Sequence, residues 1–548
     1  MKLTYLLIIF LIFNKNLLAE PNIGTIELVN GNVDFNCNDK SGMAEIYDDI
    51  YIGCEYQLSK NASLTFSFED NSTFIISNGA KVKIDQYENI FSPKPYFEIS
   101  IFSGEIMVET GDIPKISEIG AKVKTPNGDL ILKGTAISGS FENNKSKIFL
   151  LTDSFGNQGN LTLVSEKGEE LNFEADKGFE FNDGTASQSN LDDEQLSKIE
   201  NLKTTIVENA VVDQEKIDQI VNKKIAEGKI SIKDAENMKK DILSKKESQI
   251  NSIINKTTKE NSSLLSGIMQ KSSEQSLSSI MTKVVDSKPE ITSSLVEKIV
   301  ETNPDKIQNL SKNDSNLMDK IITTSIANAD ENDTSLSKII SKVDGDLSSK
   351  LIEKISDEKS EILTNVIAQV SVENNQKVLE IVSKNEDLGA KIVETITENI
   401  KSDINSVEKL KTVLLSTDPK LSSSIIERIE KTDSSIAKNA IKQAINENQA
   451  GVEKNLSQSF KDKNSSFSKL VIEESLKSGK QEIITKAADN LIKEPNNATN
   501  KNTNDKQILN NISQNIQETT AKILIDDPKA KLDDSIIKIL DEKLASPN

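Results

Sequence analysis

The chain has 548 residues, enough for more than one domain, and its 86 acidic residues exceed its 66 basic residues, giving a formal net charge of −20. A surface this negative repels nucleic-acid phosphates and anionic lipids, so neither is an expected partner. The sequence contains no His, which excludes His-dependent catalytic triads, imidazole acid–base chemistry and His-ligated zinc. We therefore expect no catalytic residues, no cofactor and no metal site.

Residues 1–19 have the pattern of a signal peptide. Lys2 gives a positive start, residues 3–13 are apolar, and Ala19 ends a segment that offers a cleavage site. The apolar run is shorter than the roughly 20 residues that a bilayer-spanning helix needs. We interpret the segment as an export signal, after whose cleavage no stable membrane insertion is expected. An uncleaved membrane anchor is the alternative.

Cys37 and Cys54 are the two cysteines of the chain, and both follow the predicted signal peptide. In an oxidising compartment they could form one disulfide that closes a short loop. Two buried free thiols are the alternative, because the sequence alone does not show whether the two Cα atoms come close enough to be bridged. Both interpretations stay open at this point.

The composition changes near residue 190. All Tyr, most Phe and most Gly residues precede it, and aromatic residues with Gly turns favour strands. In residues 22–182, apolar and polar residues alternate in short runs separated by turn sequences, as at Leu64, Phe66 and Phe68. This period of two predicts an all-β domain over residues 22–182, built as a sandwich or a β-roll.

A recurring apolar pattern marks the later half. In one copy, Leu347, Leu351, Ile352 and Ile355 lie at offsets of 0, 4, 5 and 8. These offsets place all four on one face of a helix, where they form an apolar stripe. Copies with the same offsets begin at Ile291, Leu388, Leu421 and Leu532. Acidic residues or Pro before several copies are signals for a helix start. The offsets do not follow a sustained heptad, which argues against a coiled coil.

These patterns give the domain organisation. The β domain at 22–182 is followed by a linker at 183–193, a helical repeat region at 194–494, a second linker at 495–505 and C-terminal helices at 506–548. Each repeat is predicted to contain two or three helices in about 30–40 residues. Short helices are marginal alone and need a neighbour to bury the apolar face. We expect an irregular α-helical array that forms a solenoid or an elongated bundle.

Short motifs in the β half occur in the order found in a known family. Gly31 lies in the opening strand pair, and Asp70-Asn71-Ser72 looks like the family's Asp-Gly-Ser turn, with Asn in place of Gly. The later motifs are Gly104 in a strand-turn, Thr125 with Pro126, and Gly134 with Thr135. Together these residues resemble the FecR-like domain family over residues 22–182. They are structural, since Gly and Asn accept the positive φ angles of tight turns.

The resemblance implies an exported β domain that acts as a protein-interaction module. Some members of the family pass a signal from an outer-membrane receptor to a cytoplasmic sigma factor. Those members carry an inner-membrane span before the β domain, where this chain has a signal-peptide pattern. Direct sigma regulation is therefore in doubt, whereas the interaction role carries over.

Three functional hypotheses follow. The first is an exported bacterial envelope protein, non-catalytic, that binds protein partners or acts as a scaffold, with self-association through the helical array as a further contact. The second is an extracytoplasmic signal-transduction component that works through a membrane regulator. The third is a carboxylate-based glycan hydrolase, which needs no His. We expect the periplasm as its location, with secretion or surface attachment as alternatives.

Overall fold

The computed structural model describes residues 22–526, apart from residues 38–39, 118, 143–144, 166, 175–176, 183–184, 332, 404, 463–464 and 494–500. The predicted signal peptide and the stripe that begins at Leu532 lie outside the described residues. Strands occupy the chain up to Asn190 and helices follow, which confirms the predicted β-then-α order. The chain divides into two compact units, with the boundary between Ile291 and Thr292.

Sixteen strands are connected in one hydrogen-bonded network in the first unit. The first eight are β1 (Gly24–Asn30), β2 (Val33–Cys37), β3 (Lys40–Met43), β4 (Asp49–Ile50), β5 (Glu55–Leu58), β6 (Ser63–Phe68), β7 (Thr73–Glu88) and β8 (Tyr96–Glu109). A short helix, α1 (Ile113–Ile116), follows them. The others are β9 (Ala121–Thr125), β10 (Gly128–Lys133), β11 (Ala136–Glu142), β12 (Lys145–Leu151), β13 (Asn160–Val164), β14 (Glu170–Asn172), β15 (Lys177–Asn182) and β16 (Thr185–Asn190).

The two longest strands, β7 and β8, form an antiparallel ribbon that belongs to two sheet halves at once. The half of β7 near Lys81 pairs with β5 and the adjoining half of β8 pairs with β9, which gives the order β3-β2-β5-β7-β8-β9-β10-β13-β14. The half of β7 near Thr73 pairs with β6 and its part of β8 pairs with β11, which gives β4-β1-β6-β7-β8-β11-β12-β15-β16. The ribbon therefore joins the two halves.

The ribbon bends where its register shifts between Ser77 and Lys81. On β7, Asn78 has a φ of 55°, and on β8, Gly104 has a φ of 91°. A Cβ at Gly104 would lie 2.3 Å from the Cα of Ala80, far inside contact distance. The close approach of the two strands at the bend therefore requires Gly at position 104.

Aromatic rings from both sheet halves meet in one core. Phe74, on the part of β7 that pairs with β6, has its ring centroid 5.8 Å from that of Phe97, on the opposite half of the ribbon. Phe68 on β6 lies 5.1 Å from Tyr87 and 5.4 Å from Phe97. Such edge-to-face contacts are the arrangement that aromatic pairs prefer. The two halves thus face each other across a shared core, as in the predicted sandwich or β-roll.

Five helices follow the strands in the first unit, and the first three of them contact the β part. They are α2 (Asp193–Ala210), α3 (Gln214–Ala226), α4 (Ile232–Lys256), α5 (Ser263–Lys271) and α6 (Glu274–Ser287), followed by a 3₁₀ turn at Pro289–Ile291. Tyr47, in the loop before β4, packs with Ile217 and Val221 of α3 and with Ile242 of α4 in a small second core. Its φ of 65° is unusual for a bulky side chain.

Lysines on these helices face carboxylates on the β part. Lys224 Nζ lies 2.5 Å from Asp48 Oδ1, and Lys256 Nζ lies 3.1 Å from Asp112 Oδ1. Lys229 Nζ lies 2.5 Å from Glu45 Oε1. In a chain with a net charge of −20, these pairs let the helices pack beside acidic loop residues of the β part without added repulsion.

The domain boundaries differ from those that the sequence suggests. Residues 185–190 of the predicted linker form the edge strand β16, which pairs with β15 along its whole length. The first compact unit also continues through five helices to Ile291. A polar edge strand has the composition of a linker, because its solvent-facing side chains bury nothing.

The second unit contains helices throughout. They are α7 (Thr292–Thr302), α8 (Pro304–Asn313), α9 (Ser315–Asn328), α10 (Ser335–Lys342), α11 (Gly345–Glu358), α12 (Leu363–Glu373), α13 (Asn375–Lys384), α14 (Glu386–Ser402), α15 (Ser406–Ser416), α16 (Pro419–Glu447), α17 (Gln449–Ser459), α18 (Ser466–Lys477), α19 (Glu482–Lys493) and α20 (Lys501–Asp526). A 3₁₀ turn at Ser360–Ile362 precedes α12, and α16 is kinked at Asp433. The start of α20 falls inside the predicted linker at 495–505.

The predicted helical repeats are present. The stripe residues Leu347, Leu351, Ile352 and Ile355 are all buried on α11, and helices that pack closely are one to three places apart in the chain. Polar contacts also link equivalent positions. Ser337 Oγ donates to Gln369 Oε1 across 32 residues, and Asn374 Nδ2 donates to Ser341 O across 33. These separations match the predicted repeat length.

Several helices of the second unit are capped by the polar residue that precedes them. The side chains of Asp314, Asp344 and Asn385 accept hydrogen bonds of 3.0, 2.8 and 3.0 Å from the backbone N–H groups three residues later. Asp418 accepts one of 2.7 Å from the N–H of Lys420. Each of these caps satisfies a free N–H group at a helix start, which explains why a short polar residue precedes these helices.

The bend of the ribbon can be tested with two Gly→Ala changes. We expect Gly104→Ala to destabilise the β part by about 3 kcal/mol or more, because the methyl group meets the backbone of Ala80. Gly156→Ala is the control, since Gly156 has a φ of 80° but open space around it, and should cost about 1 kcal/mol. Urea unfolding followed by Tyr fluorescence reports on the β part, because every Tyr precedes residue 100. Equal losses of unfolding free energy in the two variants would contradict the close approach of β7 and β8 at Gly104.

Candidate functional site

The segment Glu109–Ile113, where β8 ends and α1 begins, collects several of the predicted motif residues. Asp70, Ser72 and Thr135 all contact it, although they come from three different parts of the sequence. We call Asp70, Ser72, residues 109–113, Thr135 and Ser154 the polar hub. All its hydrogen-bonding side chains described below are buried.

The Asp70-Asn71-Ser72 turn forms one side of the polar hub. The Asp70 carboxylate accepts hydrogen bonds of 3.0 Å from the N–H of Ser72, 2.9 Å from Ser72 Oγ and 3.0 Å from the N–H of Ile113. Asn71 has a φ of 65°. A Cβ at Gly111 would lie 1.9 Å from the carbonyl oxygen of Asp70, so the two backbones touch at this point. The turn thus fixes the end of β8.

Thr135 forms the other side of the polar hub, directly after Gly134. Thr110 Oγ1 accepts a 2.7 Å hydrogen bond from the N–H of Thr135 and donates one of 2.9 Å to the Thr135 carbonyl oxygen. The N–H of Thr110 also donates to that carbonyl at 3.0 Å. These bonds tie the start of β11 to the end of β8, next to the Asp70 turn.

Glu109 is a buried acid in the polar hub. Its Oε2 accepts hydrogen bonds from the N–H of Ser154, at 2.9 Å, and from Ser154 Oγ. Burial raises the pKa of the Glu109 carboxyl to about 7; the Ser154 hydrogen bonds oppose this rise and the negative charge of Asp153 adds to it. Burial likewise raises the pKa of Asp70, against its hydrogen bonds from Ser72 and Ile113. These carboxyls bond to the domain's own backbone, as expected of groups that hold the fold.

The other predicted motif residues lie apart from the polar hub. Gly31 occupies the β1–β2 turn with a φ of 75°. Gly104 lies at the bend of the ribbon. In the β9–β10 turn, which contains Pro126, Thr125 Oγ1 accepts a 3.2 Å hydrogen bond from the N–H of Asn127 and donates one of 2.8 Å to the Gly128 carbonyl. The motifs therefore mark turns and close contacts at several places in the β part.

Cys37 and Cys54 form a disulfide in this structure. Their Cα atoms are 4.0 Å apart, and the bond links the end of β2 to the residue before β5. The adjacent strands β2 and β5 also pair directly, with Phe35 opposite Tyr56. The disulfide therefore reinforces an existing strand pair on the β3 side of the first sheet half.

The helices of the second unit form a groove on their surface. It encloses about 480 Å³ between α13, α14 and α16. Leu379, Val382, Ala390, Val393 and Leu421 supply its apolar surface. Gly389 allows α14 to pack closely on α13, since a Cβ there would lie 2.9 Å from Val382 Cγ1, and the neighbouring Ala390 is exposed at the groove.

Charged residues surround this groove. Lys420, Glu427, Arg428 and Lys431 line the α16 side, and Glu386 lies on the α14 side. Lys431 Nζ is bonded to Glu427 Oε1 at 2.9 Å. Arg428, the one arginine of the sequence, lies 3.9 Å from Glu394 Oε1, and its side chain is 47% exposed. Its planar guanidinium can therefore still donate hydrogen bonds to a carboxylate of a bound molecule.

Sequence reasoning did not find the groove. The available signal was the Gly389-Ala390 pair within the stripe helix that begins at Leu388, together with the single Arg. Small residues on a helix surface allow either close packing or an open groove, and the sequence does not distinguish the two.

Further searches of the described residues yield two negative findings. None of the helices they form is both long enough and apolar enough to cross a membrane. Across the same part of the chain, no three Cys, Asp or Glu side chains converge in an arrangement that could hold a metal ion.

No protein-family profile and no curated protein sequence matches the chain. Among solved structures, an engineered protein is 12% identical over 64% of this chain and 96% of its own length, with a TM-score of 0.22. Human Puf-A is also 12% identical, over 63% of this chain and 76% of its own length, with a TM-score of 0.18. At these TM-scores, neither structure informs the fold or the function of this protein.

The raised pKa of Glu109 predicts a pH dependence. The folded protein keeps the proton up to about pH 7, whereas the unfolded chain loses it near the ordinary value of 4.5. The contribution of this group to stability is therefore complete below pH 4.5 and is lost, by about 3 kcal/mol, as the pH rises through 7. Glu109→Gln should remove this loss. The free energy of unfolding of the variant, measured with urea, should therefore rise relative to that of the wild type between pH 4.5 and 8.

Glu105→Gln is the matched control, because Glu105 lies on the same strand with its side chain 32% exposed. Its stability should follow the wild type across the same pH range. Parallel curves for the wild type and Glu109→Gln would show that the Glu109 carboxyl is not held neutral by burial.

Proposed function

We propose that the chain is an exported envelope protein without catalytic activity, which binds a protein partner through the groove between α13, α14 and α16. The β part, with its FecR-like motifs, serves as a rigid module of the same scaffold. The groove is the observation that supports the proposal, because it combines an apolar surface with charged residues that can fix the orientation of a partner.

The shape of the groove suggests the kind of partner segment. Its α16 side uses Lys420, Leu421, Ser424, Arg428 and Lys431, which follow one face of that helix. From residue 420 to residue 431 the helix rises about 17 Å. This length fits an amphipathic helix of about three turns, whose small apolar side chains enter the groove. A carboxylate on its edge would pair with Arg428.

The resemblance to the FecR-like family supports a second role for the same partner contact, the relay of an envelope signal through a membrane regulator. The identity of the bound protein separates the two roles. A membrane receptor or regulator would favour signalling, and a cell-wall protein or a second copy of this chain would favour a scaffold.

In-cell photo-crosslinking tests the proposal. A photoreactive residue at Ser424, inside the groove, should capture one main envelope protein. The same residue at Lys312, on the exposed surface of α8, should not capture it. Mass spectrometry of the adducts identifies the protein and the contacted segment. Identical adducts at the two positions would contradict binding in the groove.

Substitution of Arg428 gives an independent test, in which the affinity for the captured protein is measured. Arg428→Ala should weaken its binding about 5- to 30-fold, the effect of losing roughly 1–2 kcal/mol at an interface arginine. Lys312→Ala should leave the affinity unchanged. Surface plasmon resonance with the purified pair measures both, and an unaltered affinity for Arg428→Ala would remove Arg428 from the interface.

A further inference from the structure

The loop that joins β7 to β8, residues 89–95, carries an exposed apolar pair. Phe91 is 88% exposed and Ile90 is 37% exposed. Single apolar residues are common on protein surfaces and need no explanation. An almost completely exposed Phe next to an exposed Ile is a larger apolar surface, and it lies at the end of the two longest strands of the first unit. We call residues 89–95 the tip loop.

The tip loop is held in shape by its own hydrogen bonds. Asn89 Oδ1 accepts a 3.0 Å hydrogen bond from the N–H of Phe91, and the Asn89 carbonyl oxygen accepts one of 3.0 Å from the N–H of Ser92. Pro93 and Pro95 fix two further φ angles. Little conformational freedom is therefore lost when Phe91 contacts a binding surface, which favours binding.

A second exposed apolar loop lies at the same end of its sheet half. β8 and β9 run parallel, with Glu98 opposite Lys122, so the chain enters both strands from the same end. The segment before β9 contains Ile116, which is 58% exposed, and Ile119, which is 55% exposed. Glu118, between them in the sequence, lies outside the described residues. The exposed apolar residues of the two loops, which we call the apolar end, are Ile90, Phe91, Ile116 and Ile119.

The charge at this end differs from that of the whole chain. Residues 89–97 contain one charged side chain, Lys94, and no carboxylate, although Glu88 precedes them. Lys133, at the end of β10, lies beside Gly120, since its Cγ is 3.3 Å from the position of a Cβ there. Both lysines are exposed. Charges more than about 8 Å away are largely screened at physiological ionic strength, so these lysines matter more here than the net charge of −20.

We propose that the apolar end inserts into the surface of a phospholipid bilayer and attaches the β part to it reversibly. Phe91 and Ile90 enter the boundary between headgroups and acyl chains, while Lys94 and Lys133 reach the lipid phosphates with their long side chains. Exposed aromatic and aliphatic residues beside lysines are the composition of segments that lie in this boundary. A projecting loop suits such a surface, whereas a small molecule needs a concave site.

This contact is peripheral and separate from the proposed groove. It uses exposed side chains of loops, and no helix in the described part of the chain could span a bilayer. A few apolar side chains bind a membrane weakly, so the lipid contact would add to a protein contact and not replace it. The two proposals fail separately, because the groove lies in the second unit.

Vesicle sedimentation tests the proposal with the purified chain from residue 20 onward, because the apolar run of residues 3–13 would itself bind lipid. We expect reversible binding to phosphatidylcholine vesicles. Phe91→Ser should weaken it about 10- to 100-fold, the factor for burying one Phe side chain, with an unchanged melting temperature. Val372→Ser is the matched control, since Val372 on α12 is 76% exposed, and should bind as the wild type does.

Three results of this experiment would overturn the proposal. The first is a wild-type chain that does not bind the vesicles, and the second is equal binding of Phe91→Ser and the wild type. The third is binding that requires an equal mixture of phosphatidylcholine and phosphatidylglycerol and disappears in high salt, because a charge contact alone would then explain it.

Tryptophan fluorescence locates the contact. The sequence contains no Trp, so Phe91→Trp and Val372→Trp each give a chain with a single one. On addition of phosphatidylcholine vesicles, the emission of the Phe91→Trp chain should shift to shorter wavelengths, because the indole leaves water, and that of the Val372→Trp chain should not. Equal emission changes in the two chains would overturn the proposal. So would an unshifted Phe91→Trp chain together with in-cell photo-crosslinking of position 91 to a protein, which would assign the tip loop to a protein partner.

Discussion

The close approach of β7 and β8 at Gly104 is the constraint on which the first unit depends. Because these strands bend there, each belongs to both sheet halves, and the halves can face each other across the cluster of Phe68, Phe74 and Phe97. The polar hub then fixes the free end of β8 to the turns at Asp70 and Thr135. With β8 fixed at its bend and at its end, β9 and β11 can pair with different halves of one strand.

The second unit follows a different rule. A short helix with one apolar stripe cannot bury it alone, so each helix depends on neighbours one to three places along the chain. Polar caps and contacts such as Ser337 to Gln369 repeat at this spacing. The groove lies between α13, α14 and α16 of this array. An array of this kind can form a binding surface without a special loop or cofactor, which is why we propose the partner contact there.

The sequence predicted the features that depend on local patterns. The stripe that begins at Leu347 and the cap at Asp344 follow from helix periodicity and from the need to satisfy free N–H groups. The turn at Asn71 follows from backbone preference. By contrast, the hub joins Asp70 to Ile113 across 43 residues, and the packing of Tyr47 on α3 joins still more distant segments. Such contacts depend on strand order, which no local pattern specifies.

The same distinction applies to the functional surfaces. The motif residues of the β part were found from sequence because they form turns, but their side chains hold the fold together. The groove depends on which helices become neighbours, and therefore on tertiary contacts. Positions 185–190 show the converse, since an edge strand with polar side chains on both faces gives no signal of its pairing.

Hydrogen exchange of the full chain, followed by mass spectrometry, tests the central role of the ribbon most directly. If β7 and β8 organise the first unit, the amides of Phe74–Ser77 and Ile106–Val108 should exchange only on global unfolding, which makes them the slowest amides of the unit. Amides of the edge strands β3 and β16 should exchange much earlier. Ribbon amides that exchange as fast as those of β3 and β16 would contradict the account.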